Sequence, residues 1–86
     1  MRIQIANRAR KQLARLDSAA QARIRAKIMA YAADPTTQAN NVKALKGGGG
    51  YRLRVGDYRV LFEVDDASAN TMFIYRIAHR KDAYDD

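Results

Sequence analysis

The sequence predicts an α+β domain in which a helical hairpin packs on one face of a mostly antiparallel sheet, in the order β-α-α-β-β-β. Two changes of pattern predict it. Apolar residues recur at three- and four-residue spacing up to Asp34-Pro35, and at every second position after a run of four glycines. A Gly56-Asp57 pair then sits between two alternating segments, as a tight hairpin turn requires.

Residues 2–6 alternate apolar and polar and read as a short strand. Asn7 follows as a helix cap, its side-chain oxygen suited to the free amides of the first turn. Ala9, Leu13 and Leu16 then share one face, with Arg8, Lys11 and Arg15 mainly off it. Asp17-Ser18 ends this helix and offers a second cap, with Ser18 and Gln21 at capping-box spacing. The next helix carries Ala20, Ile24, Ile28 and Tyr31 on one stripe, with Arg23 and Lys27 on another. It stops at Asp34-Pro35, because a residue before proline is pushed out of helical geometry. Residues 36–41 form a polar loop, Val42-Lys43-Ala44-Leu45-Lys46 is too short to classify, and residues 47–50 form a flexible glycine hinge. Tyr51, Leu53 and Val55 alternate with Arg52 and Arg54. Across the turn, Tyr58, Val60, Phe62 and Val64 alternate with Arg59, Leu61 and Glu63. Residues 65–70 make a loop, residues 71–78 a third strand of the second half, and the tail from His79 is too polar for the core.

At 86 residues the chain is one domain, residues 1–86, and a domain of this size buries only about 60% of its unfolded surface. With 48% hydrophobic and 29% charged residues it is too apolar for disorder. Without cysteine, no disulfide or thiolate metal site is available, and a single histidine, His79, makes a zinc centre a poor fit. No metal or other cofactor is expected. No apolar run is long enough to cross a membrane and the N-terminus lacks a secretory core, so no membrane association and a cytoplasmic location are expected.

The net charge of +7 is unevenly spread. Residues 1–35 hold eight Lys/Arg against Asp17 and Asp34, while the remainder holds eight against seven acids. Such a chain attracts polyanions, although the same excess also serves solubility. With the tyrosines and aliphatics of the hairpin facing the helices, Arg52, Arg54 and Arg59 project from the opposite face. Arg76 joins them if Phe73, Tyr75 and Ile77 are buried, whereas burying Met72 and Ile74 gives the other register. Guanidinium forks match phosphate oxygens in bidentate geometry. The same arginines also read as solvated strand residues, one of them paired across strands with Glu63. Tyr51 and Tyr58 fall on the apolar parity and read as core.

The segments Leu45-Lys46-Gly47 and Tyr51-Arg52-Leu53-Arg54-Val55-Gly56-Asp57-Tyr58-Arg59-Val60-Leu61-Phe62-Glu63-Val64-Asp65-Asp66 resemble the RelE/ParE toxin superfamily. The ending Ile77-Ala78-His79-Arg80-Lys81-Asp82-Ala83-Tyr84 resembles its RelE branch, and the likeness extends over the whole chain. The resemblance implies an RNase-like fold and a toxin that cleaves mRNA endonucleolytically on the ribosome. It also implies a cognate antitoxin protein, which the charge suggests is acidic, with operator DNA bound only through the antitoxin complex. By position, Arg52 and Arg54 match basic residues of the family's second strand, Arg59 an arginine that holds the scissile phosphate, and Arg80 the terminal arginine of the site. Tyr84 matches a tyrosine near the chain end, and His79 a position where several members have a catalytic histidine. Arg52 and Arg54 stand where some members have lysine, which can transfer a proton, as arginine in practice cannot. Ala78 stands where glycine is common.

RNA supplies its own nucleophile, the 2′-hydroxyl. Cleavage then needs that group aligned with phosphorus, charge stabilised on the phosphoryl oxygens, and protons moved. Arg54, Arg59 and Arg80 fit the electrostatic role, with Arg52 on a flanking phosphate. Histidine is the side chain that exchanges protons near neutral pH, which makes His79 the candidate general acid. Tyr84 fits three roles: orienting the 2′-hydroxyl, stacking on a base, or acting as base where cations favour its phenolate. Glu63 is a more distant candidate base. Lys43, Lys46 and Arg76 complete the expected RNA-binding set, and the products would be a 2′,3′-cyclic phosphate and a 5′-hydroxyl. A ParE-like inhibitor of DNA gyrase without nuclease activity is the alternative, followed by a non-catalytic RNA-binding module.

Overall fold

A computed structural model describes residues 1–65, 67 and 70–83. The elements are β1 (Arg2–Ile5), α1 (Asn7–Ala14), α2 (Ser18–Ala33), a 3-10 segment (Pro35–Asn41), β2 (Val42–Ala44), a 3-10 turn (Lys46–Gly48), β3 (Tyr51–Val55), β4 (Tyr58–Asp65) and β5 (Thr71–His79). The sheet runs β1-β5-β4-β3-β2. Only β1 and β5 pair in parallel; β2–β3, β3–β4 and β4–β5 are antiparallel. The expected α+β architecture is therefore present, with one more strand than the sequence reading assigned. Val42–Ala44 pairs with Leu53 to Tyr51, a partnership too short to leave a periodic signal.

The start of α1 differs from expectation, and at α2 the expected Asp17-Ser18 cap is present without the capping box. Ala6, not Asn7, is the N-cap of α1, and no side chain caps it; Asn7 is already helical. At α2, Asp17 is the cap and accepts from the Ala20 amide at 2.7 Å. The Gln21 side chain turns back to donate to the Leu16 carbonyl at 2.8 Å, closing the interhelical turn instead of a capping box. The α2 stripe does bury Ala20, Ile24, Ile28 and Tyr31, and the helix ends at Ala33. Asp34 then caps the 3-10 segment that occupies the expected polar loop.

The core lies between the helices and one sheet face. Leu13, Ile24, Ile28 and Tyr31 meet Leu53, Val60, Phe62, Met72, Ile74 and Ile77. Phe62 is fully buried, with Tyr31 and Tyr51 rings 5.0 and 5.6 Å from its own. Tyr51, expected in the core from its parity, is instead 39% exposed at the start of β3, where its stack on Phe62 ties it to the core. Tyr58 is half-buried at the core's margin.

Both registers considered for the last strand are each half present. Phe62 pairs with Ile74 but Leu61 with Arg76, so Tyr75 is an extra residue in β5. This bulge reverses the parity of the strand. Before it, Met72 and Ile74 are buried; after it, Ile77 is, and Arg76 moves to the face opposite the helices. Where β1 has ended, α1 takes over the edge of β5, and the Ile77 amide donates to the Gln12 side chain at 2.8 Å. An edge amide is thereby satisfied without a strand.

The glycine run is an ordered connection. Gly47, Gly48 and Gly50 have φ of 78°, 81° and 93°, values that L side chains rarely adopt. The Leu45 amide donates to the Gly50 carbonyl at 2.9 Å, closing the loop. A β-carbon on Gly50 would collide with the Phe62 carbonyl oxygen.

Candidate nucleic-acid interface

Pairing sets the basic residues in rows on the face away from the helices. Lys43 lies opposite Arg52, Arg52 opposite Leu61, and Leu61 opposite Arg76. In the next row toward the hairpin turn, Arg54 lies opposite Arg59 and Arg59 opposite Ala78. Like charges directly opposite repel, so each guanidinium in these rows needs a partner that holds it in place.

The turn itself has a positive φ only at its first central residue, Gly56 (56°), the pattern of a II′-type hairpin. Arg59 is only 7% exposed. Its Nη1 donates to the carbonyls of Gly56 and Tyr58 at 2.9 and 2.8 Å. One guanidinium edge thus holds the turn. Arg80 follows the end of β5 and returns to the same turn: its amide donates to the Asp57 carbonyl at 2.7 Å, and its Nε lies 3.8 Å from the Asp57 carboxylate.

Beyond the start of β2 the edge of β3 has no strand beside it, and the 3-10 segment and α2 come round to fill the space. The Arg54 Nη2 donates to Asn41 Oδ1 at 3.2 Å, and Asn41 Nδ2 donates to Gln38 Oε1 at 3.1 Å. Lys27 Nζ donates to the same Gln38 oxygen at 3.4 Å. The result is a depression of about 440 Å³ lined by Lys27, Asn41, Arg54, Gly56, Asp57, Arg59 and Arg80. Four cations and one carboxylate around an open polar hollow have the chemistry to receive an anion with several oxygens.

Of the sequence-predicted residues, Arg54, Arg59 and Arg80 come together here. Arg52, Arg76 and Lys43 lie on the adjoining row of the same face, and Lys46 lines a second depression with Arg76. His79 is placed differently. Its backbone pairs with Tyr58 on the parity of the core, its ring stands edge-on to the Tyr58 ring at 5.7 Å, and it does not line the arginine hollow. The Lys81 amide donates to His79 Nδ1 at 3.2 Å, which leaves Nε2 as the protonated nitrogen of the neutral ring. Glu63 shares the arginine face but lies four residues along β4 from Arg59, about 14 Å at ~3.4 Å per residue. Tyr84 lies outside the described residues. The tail does enter the packing at Ala83, which is 4% exposed, and Arg76 Nη2 donates to the Asp82 carbonyl at 2.7 Å.

Lys27, Gln38 and Asn41 were missed. Lys27 neighbours the buried Ile28 at the margin of the α2 stripe, a position that by itself reads as a solvated lysine. Only the tertiary placement of the 3-10 segment links it to Arg54.

The sequence profile of the family described as "ParE toxin of type II toxin-antitoxin system, parDE" matches residues 3–84. No curated protein matches the sequence. Among solved structures, the archaeal RelE-RelB complex from Pyrococcus horikoshii contains a chain 28% identical, with 95% of this chain and 97% of that one aligned at a TM-score of 0.76. The RelB-RelE complex from Methanococcus jannaschii gives 28% identity, 95% of each chain and a TM-score of 0.72. The E. coli RelBE complex, at 23% identity, 91% and 94% coverage and a TM-score of 0.71, shares the fold. With the family profile spanning nearly all of its length, the chain belongs to the ParE toxin family of type II toxin-antitoxin systems, within the RelE/ParE superfamily.

Proposed function

We propose that this toxin is a metal-independent endoribonuclease that cuts mRNA on the ribosome, inhibits translation, and is neutralised by an acidic cognate antitoxin. The observation that carries the reading is the convergence of Arg54, Arg59 and Arg80 with Lys27 on one open hollow. Preorganised cations around a phosphate stabilise the charge that develops as the 2′-oxygen attacks phosphorus. In that step the P–O2′ bond forms and the P–O5′ bond breaks. The 2′-hydroxyl proton passes to a base and the departing 5′-oxygen takes a proton. His79 is the proposed donor, acting as the imidazolium. Protonation of Nδ1 would displace the Lys81 amide, the ring would turn from the strand end beside Arg80 toward the scissile bond, and loss of one proton would leave neutral imidazole. Tyr84 is the proposed partner of the 2′-hydroxyl, and Arg52, Arg76, Lys43 and Lys46 bind flanking RNA.

The antitoxin proposal rests on the net charge of +7 and on the neighbours at 28% identity, which were solved as complexes of RelE with RelB. An acidic segment folding on contact would gain both charge complementarity and burial. Operator DNA is then bound through the antitoxin complex.

A second reading, a gyrase-inhibiting toxin without nuclease activity, is favoured by two observations. The matching profile is that of the ParE family, and the His79 ring stands away from the arginine hollow. A direct test supplies ribosomes with an mRNA carrying a single 2′-deoxy nucleotide at the cut position. The nuclease reading expects cutting of the all-ribose message, with cyclic phosphate and 5′-hydroxyl ends, and its loss at the deoxy position. Intact mRNA together with inhibited supercoiling would establish the second reading.

A further inference from the structure

The second depression on the open sheet face differs in kind from the arginine hollow. It measures about 390 Å³ and is lined by Arg8, Leu45, Lys46, Leu61, Tyr75, Arg76 and, at its margins, Gly49 and Ala83. Its floor is apolar. Leu61 faces away from the helices yet is only 5% exposed, and Ala83 of the tail is 4% exposed. Tyr75 is the bulge residue of β5, and its hydroxyl donates to the Gly49 carbonyl at 2.7 Å. The ring is thereby held across β4 at the rim of the pocket. Three cations from three elements complete the lining, Arg8 of α1, Lys46 of the glycine turn and Arg76 of β5, with no carboxylate lining it among the described residues. An apolar floor with a fixed aromatic ring and a cationic rim suits a flat heterocycle attached to a phosphate.

Its position relative to the first hollow is set by the strand. Arg59 and Leu61 are two residues apart on one face of β4, about 7 Å at ~3.4 Å per residue. That is a step comparable to one nucleotide of an extended strand. We propose that the Leu61–Tyr75 depression is a nucleobase pocket, taking the base of a single-stranded RNA nucleotide next to the phosphate held by Arg54, Arg59 and Arg80. This rests on the ribonuclease reading and adds to it a place where base identity is sensed. Tyr75 and Leu61 contact the base, and Arg8 and Lys46 its phosphate.

The test titrates the isotope-labelled, full-length protein with an uncleavable 2′-O-methyl RNA trinucleotide, and with the same strand lacking its central base. Amide signals of Gly49, Leu61 and Tyr75 should shift with the complete strand. Its Kd should weaken roughly fivefold to a hundredfold without the base, the range of one base–aromatic stack. Tyr75→Leu should produce a similar loss with the complete strand and alter the base preference flanking the cut in translation reactions. Equal affinity for the two strands would overturn the pocket, whether or not the wild-type toxin cuts mRNA. The same local shifts from hexaglutamate, with no gain from a base, would mark a general anion surface and also overturn it. Base-dependent binding by a protein that never cuts mRNA would uphold the pocket and sink the ribonuclease reading, so the two fail separately.

Discussion

Arg54 and Arg59 face each other directly across the β3–β4 hairpin, and their guanidinium groups have different fixed partners. Arg54 reaches outward to Asn41, while Arg59 folds back on the carbonyls of Gly56 and Tyr58. Two cations that would otherwise repel are thus each held by neutral oxygens, and both border the same hollow.

Arg59 therefore has a structural role in the turn beside the electrostatic one proposed for it. Arg59→Ala removes two part-buried, charged hydrogen bonds to turn carbonyls, and the expected loss of stability is about 1.5–3 kcal/mol. Urea unfolding should show a lower midpoint at an unchanged slope. A midpoint equal to wild type would contradict the turn-clamp role.

Arg80 presents the opposite balance. Its side chain makes one long, exposed ion pair with Asp57, while its backbone amide holds the turn whatever the side chain. Arg80→Ala should cost at most about 1 kcal/mol of stability. Cleavage should nevertheless fall on the order of a hundredfold, as when one transition-state hydrogen-bond donor is removed.

Asp57 is the carboxylate lining the arginine hollow. Asp57→Asn should tighten binding of single-stranded RNA severalfold at low salt, with the gain fading as salt screens the charges. Arg54→Ala should flatten the plot of log affinity against log salt by about 0.7 for one lost phosphate contact. Fluorescence anisotropy across a salt series checks both.

The Gln38–Asn41 pair positions Arg54 without reaching the hollow's centre itself at Gln38, which is buried at 8% exposure. Asn41→Ala should lower kcat more than it raises KM, because it frees the Arg54 fork without removing its charge. A change confined to stability, with kcat intact, would show that Asn41 does not position Arg54 for catalysis.

Gly50 tests the folded glycine turn. Gly50→Ala meets the Phe62 carbonyl and a φ of 93°, whereas a β-carbon at Gly48 meets nothing within 4 Å. Gly50→Ala should lower the Tm clearly, and Gly48→Ala should cost only the roughly 1–2 kcal/mol of a left-handed residue.

Periodicity carried most of this fold. The stripe of Ile24, Ile28 and Tyr31 and the alternation around Gly56-Asp57 placed α2 and the hairpin, because each signal lies within one element. Val42–Ala44 escaped because three residues hold no period, and Tyr75 because a bulge is a misfit between two strands that neither encodes alone. At the interface, strand parity was enough to align Arg52, Arg54 and Arg59. It could not show that Arg59 folds onto its own turn, because parity fixes the side of the strand and not the rotamer. Nor could it show that His79 rests on Tyr58 or that Lys27 arrives through Gln38, since each of these joins two separate elements.

The arginine hollow is the proposed site of RNA cleavage. The direct measurement is translation of a defined mRNA in a cell-free system with 5′ ends mapped, comparing wild type with Arg54→Ala and Arg80→Ala. Cuts that require ribosomes, appear with wild type and fade in both variants are the predicted result. Intact mRNA in the presence of folded wild-type toxin, at concentrations that block gyrase supercoiling, would contradict it.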